Sequence, residues 1–137
     1  MPDGLIDAVA AAAAEAGQLA LDRWKTDFRR WEKAAGSPVC EIDLAVDELL
    51  KVRLKAIVPD AGWLSEETAD NEERLGQARV WVVDPIDGTR DYLRGRPGWC
   101  ISVALVEHNH VVLGVLDAPL EEKNLKPSKW FPHKEIN

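Results

Sequence analysis

Six consecutive residues, Asp84-Pro85-Ile86-Asp87-Gly88-Thr89, hold most of what this sequence offers to chemistry. Two carboxylates three residues apart, on a segment that Pro85 stiffens, can converge on one point. Hard cations such as Mg²⁺ take oxygen ligands, typically one or two protein carboxylates completed by substrate phosphate and water. Gly88 lets the backbone come close to a ligand. Thr89 suits the cap of a following helix, whose free N–H groups favour a phosphate. The segment follows Val80-Trp81-Val82-Val83, an apolar run that predicts a strand buried on both faces. Open sheets place ligands beyond the carboxyl ends of such strands. Turn chemistry alone explains a bare Asp-Gly pair. The whole hexapeptide in this context points instead to a loop for metal and phosphate.

Periodicity gives the elements that must position this loop. Leu5, Ile6, Val9, Ala12, Ala13, Ala16, Leu19, Ala20 and Trp24 recur at helical spacing and predict an amphipathic helix over 3–25. Phe28 to Trp31 suits a short strand or an irregular connection, and Ala35-Gly36-Ser37-Pro38 a turn. Leu44, Val46, Leu49, Leu50, Leu54 and Ile57 predict a second helix over 42–57, ended by Pro59. Gly62 to Ser65 reads as a short strand, 69–76 as a loop or short helix, and 84–89 as a sharp loop. Two further strands, 100–106 and 111–116, are joined by a hairpin at 107–110, where His108 and His110 read as surface residues. Trp24, Trp31, Trp63, Trp81 and Trp99 share no period and read as core and interface anchors. Helices precede strands, so the expected class is α+β: two N-terminal helices packed on one face of a mostly antiparallel or mixed sheet.

A chain of 137 residues carries a prior of one domain. With 46% hydrophobic and 30% charged residues, it is neither disordered, collagen-like nor a coiled coil. The 24 acidic and 17 basic residues give a net charge of −7, and there is no basic run, which argues against a nucleic-acid partner. Cys40 and Cys100 cannot make a disulfide framework and favour a reducing compartment. Asp3 and Asp7 stand where a signal peptide would carry Lys or Arg. The Ala10–Ala14 run is broken by Glu15 and is too short to span a membrane. A cytoplasmic protein without a membrane partner is the expectation.

Three more segments join the hexapeptide in order along the chain. Taken together they resemble the lithium-sensitive, magnesium-dependent phosphatase superfamily, which includes inositol monophosphatases, 3′(2′),5′-bisphosphate nucleotidases and fructose-1,6-bisphosphatases. Val39-Cys40-Glu41-Ile42-Asp43 resembles the segment that supplies a catalytic aspartate, and Leu64-Ser65-Glu66-Glu67 the paired-glutamate segment. Val111 to Pro119 resembles the strand and Ala-Pro turn that follow, so the resemblance covers residues 5 to 119. It implies a layered α/β sandwich of the sugar-phosphatase type and hydrolysis of a small phosphate monoester with two or three Mg²⁺ ions. Glu66, Asp84 and the carbonyl of Ile86 would hold the first ion, Asp84 and Asp87 the second, and Glu67 would assist a weaker third. Gly88 and Thr89 would bind phosphate through backbone N–H groups. Asp43 would orient Thr89, and that pair, with Glu66, would help activate the attacking water. Read by themselves, Asp43 also suits a helix cap and Glu66-Glu67 a solvated charge pair. Cys40 stands where the family usually has Thr and reads as a small buried side chain.

The Leu-Ser-Glu-Glu form and Asp91 resemble bisphosphate nucleotidases, which implies 3′-phosphoadenosine 5′-phosphate as substrate and AMP as product. Inositol monophosphatase or histidinol-phosphatase activity is the alternative, and the resemblance leaves room for a homodimer. Complete members run to about twice this length and carry a later Trp-Asp motif, with no counterpart after Pro119 here. Residues 121–137 have no Arg, Gly or Ala and four Lys, against nine Arg and four Lys in 1–120. The expectation is therefore an N-terminal phosphatase domain over 1–120 and a divergent tail, a truncation or frameshift product, with a catalytically silent fragment as the other reading.

Overall fold

The computed structural model describes residues 3–67 and 77–120, with the backbone of 128–129 and 134–135. The polar stretch 69–76 and most of the tail lie outside the described residues.

The chain opens with α1 (Asp3–Arg23), then a hairpin of β1 (Arg30–Ala34) and β2 (Ser37–Cys40) leading directly into α2 (Glu41–Ile57). β3 (Gly62–Ser65) and β4 (Arg79–Asp87) follow, then the short α3 (Thr89–Leu93), β5 (Cys100–Glu107) and β6 (His110–Asp117). β7 (Ser128–Lys129) and β8 (Lys134–Glu135) both pair antiparallel with β6. The main sheet runs β3-β4-β5-β6-β7, parallel only between β3 and β4. The α+β expectation holds, with a mixed sheet.

The apolar stripe of α1 explains where it lies. Val9, Ala13, Ala16 and Ala20 are fully buried. Small residues at this spacing let α1 approach both α2 and strands β5 and β6 closely. Residues 4–23 pass the length and composition test for crossing a membrane, yet here that stripe packs on protein. α2 buries Ile42, Val46, Leu50 and Leu54 against α1 and β4.

The sheet alternates as a pleated strand must. Trp81, Val83, Ile101, Val103, Leu105, Leu113 and Val115 face the helices and are buried. Their neighbours Val82, Asp84, Ser102, Ala104 and Leu116 line a hollow of about 310 Å³ on the other face. This corrects the expectation of a β4 buried on both faces: Val80 and Val82 are only half-buried, because both helices cover one side of the sheet. Trp31 does not anchor the core. It sits on β1, away from the core, and is 41% exposed. Among the described residues, the other four tryptophans are buried or packed against the core. The β5–β6 hairpin turns at His108 and Asn109, both with positive φ, as a tight two-residue hairpin turn requires. Cys40 and Cys100 form no disulfide.

Candidate functional site

The hexapeptide is not a free loop. β4 continues through Asp87, and its register against β5 slips between Asp84 and Asp87, so Pro85 and Ile86 form a bulge. Proline is tolerated there because a bulge needs no ladder donor. Both Pro85 and Ile86 are buried, which leaves Asp84 and Asp87 flanking a fixed, inward-pointing step.

The chain then turns at Gly88, with φ +93° and ψ +38° in the left-handed region. A Cβ at this position would stand 3.2 Å from the carbonyl oxygen of Gly98 and 3.3 Å from the Cα of Trp99. The close approach that requires glycine is to the protein's own chain. Gly88→Ala is expected to cost about 1–3 kcal/mol from backbone strain and crowding, read as a fall in the urea midpoint at unchanged m-value.

Gly88, rather than Thr89, is the N-cap of α3. The Thr89 hydroxyl is 2.9 Å from the carbonyl oxygen of Ile86 and 3.1 Å from Oδ1 of Asp43. α3 itself is pinned by Tyr92, whose hydroxyl donates to the Ala20 carbonyl of α1 at 2.7 Å and whose ring meets Trp99 edge-on at 4.9 Å. Burial pushes the Tyr92 phenol up, so it stays a donor.

Asp43 is fully buried at the start of α2. Its Oδ2 accepts the Cys40 N–H at 2.8 Å, so it caps the helix and also holds Thr89. The cap is thus present, and the hydrogen bond to Thr89 stands beside it. Burial raises its pKa, opposed by hydrogen bonds from Cys40 and Thr89 and by the charge of Lys33. Cys40 is buried beside it, and burial with the Asp43 charge pushes the thiol up to about 12. It is an inert small side chain, as read.

Glu66 and Glu67 follow β3, and the Glu66 N–H donates to the Val83 carbonyl at 3.2 Å, which ties the pair to β4. Glu66 is exposed. The Glu67 side chain is only 5% exposed and pairs with Lys33 Nζ at 3.2 Å, so it is not a solvated charge. Lys33 also donates to the Glu66 carbonyl at 2.9 Å. Burial, then the Asp43 charge, raises the Glu67 pKa, with Lys33 opposing.

Glu66, Glu67, Asp84, Ile86, Gly88 and Thr89 line one cleft of about 380 Å³. Asp87 is exposed and is not among its lining residues, and the buried Asp43 reaches the cleft through Thr89. Asp84 is the electrostatic centre. Burial, then the charges of Asp87, Glu66, Glu67 and Asp43, push its carboxyl up to about 7. Among the described residues, no three His, Cys, Asp or Glu side chains stand close enough to hold a metal ion as they are. The donor set is nonetheless all oxygen, and its crowded negative charge is what a hard cation would relieve. On chemistry the residues fit Mg²⁺.

Sequence reading missed Lys33 and Arg90, which also line the cleft. Lys33 gives no local signal, since its partners lie over thirty residues away. Arg90, directly after Thr89, donates to the Gly36 carbonyl at the β1–β2 turn. Reading also missed Asp47, buried one turn after Asp43, to which the Ser65 hydroxyl donates. Ser65 Oγ in turn accepts the Glu67 N–H at 3.2 Å. The signal was available: an aspartate on the apolar face of α2 needs a partner.

The sequence profile of the inositol monophosphatase family matches residues 1–132. A histidinol-phosphatase of Chlorobaculum parvum is 35% identical over 108 residues, 78% of this chain and 41% of its own. The 3′(2′),5′-bisphosphate nucleotidase CysQ of Escherichia coli is 36% identical over 89 residues, 64% of this chain and 36% of its own. The solved structure of the Thermotoga maritima IMPase superposes with a TM-score of 0.71 at 31% identity, over 80% of this chain and 42% of that one. The chain thus spans about two fifths of the length of these relatives. On profile, identity and fold, it belongs to the inositol monophosphatase family.

Proposed function

We propose that this chain carries the cation-binding and phosphate-binding machinery of a magnesium-dependent phosphomonoesterase. The carrying observation is that the Thr89 hydroxyl lies within hydrogen-bond distance of both the buried Asp43 carboxylate and the Ile86 carbonyl, in a cleft that Glu66 and Asp84 also line. In this reading Glu66, Asp84 and the Ile86 carbonyl hold one Mg²⁺, Asp84 and Asp87 a second, and Glu67 assists a third. When bound, Mg²⁺ neutralises substrate phosphate and lowers the pKa of the attacking water. The protein supplies the rest. The backbone N–H groups of Gly88 and Thr89 orient the phosphoryl oxygens. Asp43 fixes the rotamer of Thr89, so that its hydroxyl stands at a set place beside the attacking water. Lys33 and Arg90 place positive charge in an otherwise acidic cleft and draw the anion in.

For the substrate we propose a 3′,5′-bisphosphorylated nucleoside. The Leu-Ser-Glu-Glu segment and Asp91 support it, as does the likeness to CysQ. A second reading, an aminoalcohol or cyclitol monophosphate, has the likeness to histidinol-phosphatase over a larger share of the chain. The test is phosphate release from 3′-phosphoadenosine 5′-phosphate, histidinol phosphate, inositol 1-phosphate and fructose 1,6-bisphosphate, with Mg²⁺ and with EDTA, alongside calorimetric Mg²⁺ binding. Release from the first substrate, only with Mg²⁺, is the expected result. Mg²⁺ binding without turnover would leave a metal-binding but catalytically silent chain, and no Mg²⁺ binding would overturn the assignment.

A further inference from the structure

The sequence has no basic run, yet the fold makes a basic cleft. The α1–β1 connection brings Lys25 and Arg30 against Arg94, which ends α3, around a hollow of about 400 Å³ with Phe28 and Tyr92 among its walls. All three cations are exposed, and among the described residues none is within ion-pair distance of a carboxylate. Three like charges facing one cavity in a chain of net charge −7 are not explained by packing alone.

Local structure holds them there. Lys25 has φ +64°, a left-handed conformation uncommon for lysine, and its ammonium stands 4.4 Å from the centre of the Trp24 ring. Gly95, itself at φ +69°, leaves room for the stem, since a Cβ there would lie 3.3 Å from Lys25 Cε. The Arg30 guanidinium lies over Phe28 at 5.4 Å and reaches the Leu93 carbonyl at 3.4 Å. Ring faces and the carbonyl end of a helix steady these cations without neutralising them, so their positive charge remains available to a ligand.

We propose that this cleft is a binding site for a small phosphorylated anion, separate from the carboxylate cleft at the other end of α3. Arginine forks and a lysine ammonium match phosphoryl oxygens, and the volume admits more than one phosphoryl group. The site does not depend on the phosphatase reading, because it needs no divalent cation. That difference gives the test. Inorganic pyrophosphate is titrated by calorimetry into the full chain in EDTA at low salt, where the carboxylate cleft, deprived of cations, repels an anion. Saturable binding is expected, weakened about tenfold by Arg94→Gln or Lys25→Gln, since one charge-assisted hydrogen bond is worth about that factor, and unchanged by Lys51→Gln on α2. Absence of saturable binding would overturn the proposal. So would equal weakening by Lys51→Gln, which would mean diffuse charge attraction, or loss with Arg90→Gln but not Arg94→Gln, which would place the anion in the other cleft.

Discussion

Asp84→Asn is expected to stabilise the metal-free protein while it removes magnesium binding. The Asp84 carboxyl ionises near 3.8 in the unfolded chain and at about 7 in the folded one. Between those values the unfolded chain has released a proton that the folded chain still holds, so stability falls as pH rises through that window. Above pH 7 the full loss is present. Three units would be about 4 kcal/mol for a group shielded from solvent. Asp84 is partly open to the cleft, and screening reduces this to about 2 kcal/mol. An amide carries no charge and escapes the loss. At pH 8 without metal the variant should therefore melt about 6–10 °C higher than the parent, and near pH 3 the two should coincide. With magnesium the order reverses. A ligand at a hundred times its Kd adds about 2.7 kcal/mol to the parent, whereas the variant, lacking the carboxylate that the proposed site shares between two ions, should gain little. Phosphate release should fall by at least about 100-fold, since a metal's charge stabilisation is worth several kcal/mol of barrier. Equal melting at pH 8, or undiminished magnesium stabilisation of the variant, would remove Asp84 from the centre of the site.

The same residue shows how far sequence reaches. Asp84 and Asp87 could be singled out because both carboxylates lie within four residues and follow an apolar strand. What placed them, a bulge between β4 and β5, depends on the partner strand and leaves no mark in the hexapeptide beyond Pro85. α1 and α2 were legible to within a residue or two because their burial follows 3.6-residue periodicity. The two-sided burial expected of Val80–Val83 failed because an apolar run does not say how many layers will cover it. Trp31 stays out of the core for a related reason: a bulky ring marks apolar area, and only the fold decides whether it is covered. Lys33 was invisible. A lysine in a hairpin is ordinary until tertiary structure brings Glu67 to it. Asp43 drew two readings, a cap and a residue that orients Thr89, and its two oxygens accept from the Cys40 N–H and the Thr89 hydroxyl.

That double service separates stability from activity in two substitutions of Asp43. In Asp43→Ala the Cys40 N–H loses its acceptor at a buried helix start, and Thr89 loses the partner that fixes it. Leaving that buried donor unsatisfied costs about 1–3 kcal/mol. Relief of a buried charge offsets part of this, which leaves a net loss within that range together with loss of turnover. Asp43→Asn behaves differently. Its carbonyl oxygen can accept the Cys40 N–H, which turns its NH₂ toward Thr89. The Thr89 oxygen then accepts a hydrogen bond, and its one proton goes to the Ile86 carbonyl, already 2.9 Å away. The Cys40 N–H and the Thr89 hydroxyl keep partners and no charge is buried, which offsets the one amide N–H left over, so the Asn variant should melt within about 3 °C of the parent, a change below about 1 kcal/mol. In the parent the hydroxyl lies within reach of both acceptors, and the charged carboxylate competes for its one proton, which relieves the Ile86 carbonyl for the cation of the proposed site. In the variant the hydroxyl points the other way and competes for the carbonyl. Turnover should fall about 100-fold, and magnesium should bind more weakly although no carboxylate lining the cleft has changed. Thr89→Val, with no proton to misdirect, should lower turnover but leave magnesium binding closer to the parent. Weaker magnesium binding in Asp43→Asn than in Thr89→Val would therefore support hydroxyl reversal, and the opposite order would refute it.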